Sequence, residues 1–216
     1  PEILIDSPEQ GPVVILSARL LLPISSPPLP DASLLIRDGI IRAIGPTSAL
    51  LRDVSGEPYE SLGNAVILPG LVNAHTHLEL TGLHGRLLPA RSFTEWAARL
   101  LALRPTLDRT FFDASSMEGA ATLLRSGVTC VADITSSGAS LGPLKALGLR
   151  GIVFQEVLGL DPEQATERLS AAEEAVRSLA LEASGSLLSV GLSPHAPYSL
   201  SEPLLEGCAD LLRRRN

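Results

Sequence analysis

The chain of 216 residues carries a formal net charge of −7 and is 45 % hydrophobic but only 3 % aromatic. That length fits one large domain or a large and a small one, and the interspersed acids and bases leave no basic stripe for a nucleic acid. An aliphatic core of Leu, Ile, Val and Ala suits a parallel α/β sheet, whose buried strands read as unbroken apolar runs.

No run approaches the ~20 continuous apolar residues of a membrane span. The start, Pro1-Glu2-Ile3, lacks the basic-then-apolar layout of a signal peptide. Cys130 and Cys208 lie in apolar segments and give no disulfide framework, so reduced core thiols and a cytoplasmic setting are expected. Arg213-Arg214-Arg215 reads as a solvated helix terminus.

In chain order, Val13 to Leu22 is an apolar run broken by the Pro-rich stretch Pro23 to Pro30. Ser33 to Arg37 and Ile40 to Ile44 flank Asp38-Gly39, the signature of a hairpin with a type I′ turn. Strands with a hairpin and no helix predict a small β-domain over residues 1–65. From Val66 the rhythm becomes strand, loop, helix. Val66 to Ala74 reads as the first strand, Ser115 to Arg125 as a helix ending at Ser126-Gly127, and Val128 to Ile134 as the second strand. Leu149 to Leu158 is the third strand and Pro162 to Ala183 an amphipathic helix with Leu169, Ala172, Val176 and Leu179 on one stripe. Leu187 to Leu192 is the fourth strand. Ser201 to Arg215 is a helix with Pro203 in its first turn. Four β/α units over 66–216 mean a parallel sheet. A doubly wound sheet and half of an eight-fold barrel fit that pattern equally.

Chemistry concentrates in Pro69-Gly70-Leu71-Val72-Asn73-Ala74-His75-Thr76-His77-Leu78-Glu79. Residues two apart on a strand share a face, so His75 and His77 can present two imidazoles to one metal ion at ~2.0–2.1 Å. They fall at the carboxyl end of an apolar strand, where barrel enzymes keep their chemistry. Asp133 and Glu156 end the second and third strands on the same rim. Asp133, with Ser136 and Ser137 behind it, reads as a cap for the helix that follows. His195, between two prolines, reads either as a hydrogen-bonded loop histidine or as a site residue. Trp96 reads either as helix packing or as a substrate platform. Glu79 could equally be a solvated loop carboxylate, and His84 reads as a loop residue.

The block Leu68 to Leu80 resembles the first-strand signature of the amidohydrolase superfamily. Ser126-Gly127-Val128-Thr129 with Asp133 is similar to its second-strand pattern. Gly191-Leu192-Ser193-Pro194-His195-Ala196-Pro197-Tyr198-Ser199 is similar to the block after the fourth strand in the branch of S-adenosylhomocysteine, guanine and aminodeoxyfutalosine deaminases and triazine chlorohydrolases. Asp38 to Gly45 resembles the small β-domain of these enzymes. The resemblance implies a (β/α)8 barrel of TIM type, with its first four β/α units present, preceded by part of a small β-sandwich. It implies His75 and His77 as ligands of one divalent ion, Zn²⁺ or alternatively Fe²⁺, with Glu79, His195 and Trp96 turned to a small-molecule substrate. A homodimer is the assembly it implies.

The implied reaction is metal-assisted hydrolysis: the ion lowers the pKa of its water from ~15.7 toward ~7, and the hydroxide displaces an amino group as ammonia. A catalytic zinc usually takes three protein ligands. The family draws the third ligand, the proton-shuttling glutamate and a final aspartate from strands five to eight, so no catalytic residue is expected within this chain, which reads as the N-terminal half of a barrel that usually takes ~250 residues. No lysine follows the fourth strand, and Lys145 lies before the third, which favours a mononuclear centre. A deaminase of a nucleoside- or purine-like substrate is the expectation. The alternatives are a dechlorinating or amide-hydrolysing relative and a non-catalytic half-barrel module.

Overall fold

The computed structural model describes residues 13–53, 56–87 and 89–215. Pro1-Glu2-Ile3, read above for a leader, lies outside them. The chain divides after Pro69 into two compact units.

In the first unit, β1 (Val13–Leu21) pairs antiparallel with β2 (Leu29–Arg37), in register from Val13↔Arg37 to Leu21↔Leu29. β2 turns into β3 (Ile40–Pro46) through Asp38 at φ 55° and Gly39 at φ 73°. Both central residues therefore sit left-handed, as a type I′ turn requires. A helix, α1 (Thr47–Asp53), corrects the expectation of a helix-free domain. It forms because Leu50, fully buried, closes a small core with Ile15, Leu35 and Ala43. β4 (Tyr59–Ser61) and β5 (Val66–Ile67) then add to β1 in parallel. The result is one five-stranded sheet; a second sandwich layer is not among the described residues.

The run Val66 to Ala74 is not one strand. Pro69 offers no N–H to a ladder, and a Cβ on Gly70 would lie 2.2 Å from Thr129 Oγ1. The chain breaks there, β5 stays with the first unit, and the boundary falls four residues later than the composition indicates.

The second unit alternates β6 (Leu71–Thr76), α2 (Phe93–Leu103), α3 (Arg109–Arg125), β7 (Val128–Thr135), α4 (Leu141–Ala146), β8 (Arg150–Val157), α5 (Ala165–Ala183), β9 (Leu188–Pro194) and α6 (Glu202–Arg215). Its four strands are all parallel, in the order β6-β7-β8-β9. α3 starts ahead of Ser115 because the Asp108 carboxylate accepts the Phe111 N–H at 2.8 Å, an N-cap that satisfies an otherwise orphaned donor.

Burial alternates with period two along the strands. Val131, Asp133 and Thr135 of β7, and Val153, Gln155 and Val157 of β8, are buried. The apolar members of this face pack with Leu141, Leu144, Val176, Leu179 and Leu204 of the helices. Cys208 is buried in this core, whereas Cys130 is only half-buried and so departs from the expectation of two core thiols. Ile152 and Glu156 alternate with the buried β8 residues, and Ile152 is 39 % exposed. No helix of the described residues is long and apolar enough to cross a membrane.

β7 and β8 approach so closely at the pair Val131↔Gly151 that only glycine fits. Gly151 sits at φ 146°, and a Cβ there would lie 1.9 Å from the Val131 carbonyl oxygen. Gly151→Ala is therefore expected to cost about 2–3 kcal/mol, toward the upper end for overpacking. Urea unfolding followed by the fluorescence of Trp96, the sole tryptophan, measures it; an unchanged midpoint would contradict this packing.

Candidate active site

The carboxyl ends of β6, β7, β8 and β9 converge on a cavity of about 670 Å³. His77, Ser136, Glu156 and His195 are among its polar lining residues, and Phe93, Trp96, Leu100 and Leu101 form an apolar wall.

His75 and His77 stand with ring centroids 5.3 Å apart in an edge-on arrangement. A centroid lies roughly 3.2 Å from a metal bound through a ring nitrogen, so two ligands at a tetrahedral angle bring their centroids to roughly 5 Å. That spacing is compatible with one ion; His77 lines the cavity, whereas His75 is exposed and is not among the lining residues. His77 is pushed below the usual histidine range by burial, against the Glu156 charge, which raises it. That favours the neutral imidazole, the form that binds metal. Among the described residues no group of three His, Cys, Asp or Glu side chains assembles here or elsewhere. Two neighbouring histidines alone do not make a closed metal site.

Glu79 is 1 % exposed and does not line the cavity, which corrects the expectation that it reaches the substrate. Its Oε2 accepts from Thr135 Oγ1 at 2.6 Å, Ser137 Oγ at 2.5 Å and Ser137 N–H at 3.1 Å. Its Oε1 accepts from Ser136 N–H at 3.2 Å and from Arg104 Nη2. Burial alone would raise this carboxyl, but the Ser137 and Thr135 hydroxyls, the Arg104 charge and the Ser136 N–H outweigh it and hold it below the ordinary glutamate value.

Asp133 also departs from expectation. Its Oδ1 accepts the Leu78 N–H at 2.9 Å, so it caps the 3₁₀ turn Leu78–Leu83 that follows β6, and not the helix after β7. Two acids thus tie neighbouring strand ends in opposite senses: Asp133 of β7 holds the turn after β6, and Glu79 of that turn holds the loop after β7. Burial raises Asp133 to about 7, with the Ser140 hydroxyl and the Leu78 N–H pulling it back and the Glu79 charge adding to the rise.

His195 lines the cavity and is also the hydrogen-bonded loop residue of the other reading. Its Nδ1 lies 2.7 Å from Ser199 Oγ. That hydroxyl donates its one proton to the Ala196 carbonyl at 2.9 Å. Ser199 Oγ therefore accepts from His195 Nδ1–H, and in the neutral ring Nε2 is the free acceptor. Glu156 accepts from Ser136 Oγ at 2.7 Å. His84 is exposed on its loop.

Trp96 is 39 % exposed, and no residue of α2 is buried, so this helix does not pack into the core. Ser92 caps it by accepting the Glu95 N–H at 3.2 Å. Phe93, Trp96, Ala97, Leu100 and Leu101 recur at i, i+3, i+4, i+7 and i+8 and form its cavity face. That spacing was visible in the sequence and marks an amphipathic helix. Arg104, which also lines the cavity, belongs to no motif and gave no such signal.

The Amidohydrolase family model matches residues 66–216. The 5-methylthioadenosine/S-adenosylhomocysteine deaminase of Desulfovibrio desulfuricans is 31 % identical over 193 residues, covering 86 % of this chain and 42 % of that protein. Among solved structures, the aminofutalosine deaminase of Helicobacter pylori in complex with methylthio-coformycin superposes with a TM-score of 0.78 at 24 % identity, covering 93 % of this chain and 48 % of that one. A zinc-bound adenosine deaminase from Xanthomonas campestris gives 0.78 at 23 % identity, covering 96 % of this chain and 48 % of that one. The chain thus spans a little under half the length of these proteins and shares their fold. With His75 and His77 closing the first of four parallel strands, and the family pattern running from Val66 to Asn216, the chain belongs to the amidohydrolase family.

Proposed function

We propose that this chain supplies the first two metal ligands and part of the substrate cavity of a metal-dependent aminohydrolase that deaminates an adenosine-like nucleoside. The observation that carries the reading is the paired geometry of His75 and His77 at a strand end, with His77 lining a largely apolar cavity. The deaminase names of the similar proteins support the substrate class. Zn²⁺ is the proposed ion, with Fe²⁺ as the alternative; when bound it supplies an activated water at neutral pH.

The chain's own residues then have separable roles. His75 and His77 hold the ion, and the burial that keeps His77 neutral spares the cost of removing a proton first. His195, its Nδ1–H committed to Ser199, offers Nε2 as an acceptor to a substrate N–H or O–H. The α2 wall shelters an apolar substrate portion and excludes water. Glu156, held by Ser136, is a further acceptor on the same side as His77.

The test is ammonia release from adenosine, methylthioadenosine and S-adenosylhomocysteine by the zinc-loaded full product of the reading frame that encodes this chain. Release that His77→Ala abolishes, together with a loss of bound zinc, is the expected result. A zinc-loaded product silent on all three overturns the reading as a deaminase of adenosine-like nucleosides.

A further inference from the structure

Glu79 is too deeply buried and too fully hydrogen-bonded to touch a ligand, yet its partners all belong to the cavity's supports. Arg104 is the C-cap residue of α2, its N–H bonded to the Leu100 carbonyl. Its guanidinium stacks 5.7 Å from the centre of the Phe112 ring of α3 and pairs with Glu79. The carboxyl end of α2 is thereby fastened to the sheet rim through one side chain. Elsewhere on α2, Arg99 Nη1 reaches the Pro89 carbonyl at 3.0 Å and Glu95 Oε2 accepts the Arg91 N–H at 2.8 Å. With no buried residue of its own, α2 has little apolar packing to hold it, and segments of that kind open at low free energy.

The second set of bonds runs the other way. Ser136 N–H and Ser137 N–H fix the loop after β7 on Glu79. Ser136 Oγ, on the same loop, holds Glu156 in the cavity.

We infer that Glu79 is a positioning residue: through Arg104 it sets the α2 wall that carries Trp96, and through Ser136 it sets the Glu156 side, both from a point two residues beyond His77. This deepens the proposed reading, which supplies the identity of the ligand, but the placement rests on geometry alone and is tested without ligand.

Trp96 is the only tryptophan of the chain, so its fluorescence reports the wall directly. Arg104→Ala leaves Glu79 its bonds to Thr135, Ser136 and Ser137, so the sheet should persist while the wall loosens. Trp96 is 39 % exposed, so full release is expected to raise its acrylamide quenching about twofold and to lower its anisotropy, with far-ultraviolet circular dichroism little changed. Glu79→Gln is expected to give the same quenching increase and Arg104→Lys a smaller one. Arg177→Ala, which removes the exposed pairs with Glu173 and Glu174 on α5, should give none. A purely structural Glu79 would move the unfolding midpoint and leave Trp96 as it was. Unchanged quenching in Arg104→Ala, or an increase seen only when the circular dichroism is also lost, overturns the inference. Because no substrate enters the test, its failure is distinct from failure of the deaminase reading.

Discussion

Glu79→Ala is expected to lower the unfolding free energy of the second unit by about 3–5 kcal/mol at neutral pH, the scale for breaking one side of a buried ion pair. The carboxylate is 1 % exposed and accepts from Thr135, Ser136, Ser137 and Arg104. Its removal strands two backbone N–H groups and two hydroxyls in a low-dielectric site, and an unsatisfied buried donor costs about 1–3 kcal/mol. Arg104, 27 % exposed, recovers part of its hydration, which keeps the total near the stated range. Glu79→Gln keeps the shape but turns an NH₂ toward groups that are themselves donors, so a loss of about 2 kcal/mol is expected. The pH dependence separates charge from packing. The folded carboxyl lies below its ordinary value of 4.5, so its contribution is complete above pH 4.5 and is lost as pH falls through the folded pKa. The gap between the native protein and Glu79→Gln should therefore narrow in acid. Urea unfolding at neutral pH and at pH 4, read from Trp96, decides it. A loss under 1 kcal/mol for Glu79→Ala would mean that the carboxylate is not the anchor described.

The sequence made the strand ends readable and hid what joins them. The apolar runs of the strands, the hairpin at Asp38-Gly39 and the His75-x-His77 pair are local patterns, and local patterns survive folding because the backbone geometry that creates them is local. Glu79 is different. Its partners Thr135, Ser136 and Ser137 lie 56, 57 and 58 residues along the chain, and nothing near Glu79 records that these loops meet. A carboxylate two residues past a metal histidine looks like a substrate contact until the fold closes over it. Asp133 misleads in the same way: its position after a strand and before Ser136 suggests a forward cap, but the donor it satisfies is Leu78, 55 residues earlier. Trp96 sits between the two cases. The apolar spacing of α2 shows that one face is buried or shielded, and only the tertiary structure shows that a cavity, not the core, lies against it. The break at Pro69-Gly70 was legible in principle, since proline cannot donate to a ladder; the apolar continuity from Val66 to Ala74 masked it.

Asp133→Asn is expected to stabilise the protein at neutral and alkaline pH, unusually for a substitution at a fully buried acid. Burial raises the folded carboxyl from 3.8 to about 7. A raised acid binds its proton more tightly in the folded state, so its effect on stability runs opposite to that of Glu79: the fold is at its best below pH 3.8, weakens as pH rises toward 7, and then levels off. Three pKa units correspond to about 4 kcal/mol. Asparagine cannot ionise. Its Oδ1 still accepts from the Leu78 N–H, as Asp133 Oδ1 does at 2.9 Å. Its NH₂ takes the place of Oδ2, which makes no bond of full hydrogen-bond geometry among the described residues and lies near the Ser140 hydroxyl, the group that already pulls the Asp133 carboxyl back. An amide donor there can be accepted by that hydroxyl, so the variant satisfies both groups at once. His77 acts with the reverse sign: burial lowers its folded pKa, so its contribution is full above 6.5 and declines below that. Taking the difference between the variant and the native protein cancels the His77 part. That difference should grow from near zero at pH 4 to about 4 kcal/mol at pH 7 and stay flat above it. A difference independent of pH would show that Asp133 is ionised in the fold, and that the contact with Leu78 and the Ser140 hydroxyl outweigh its burial.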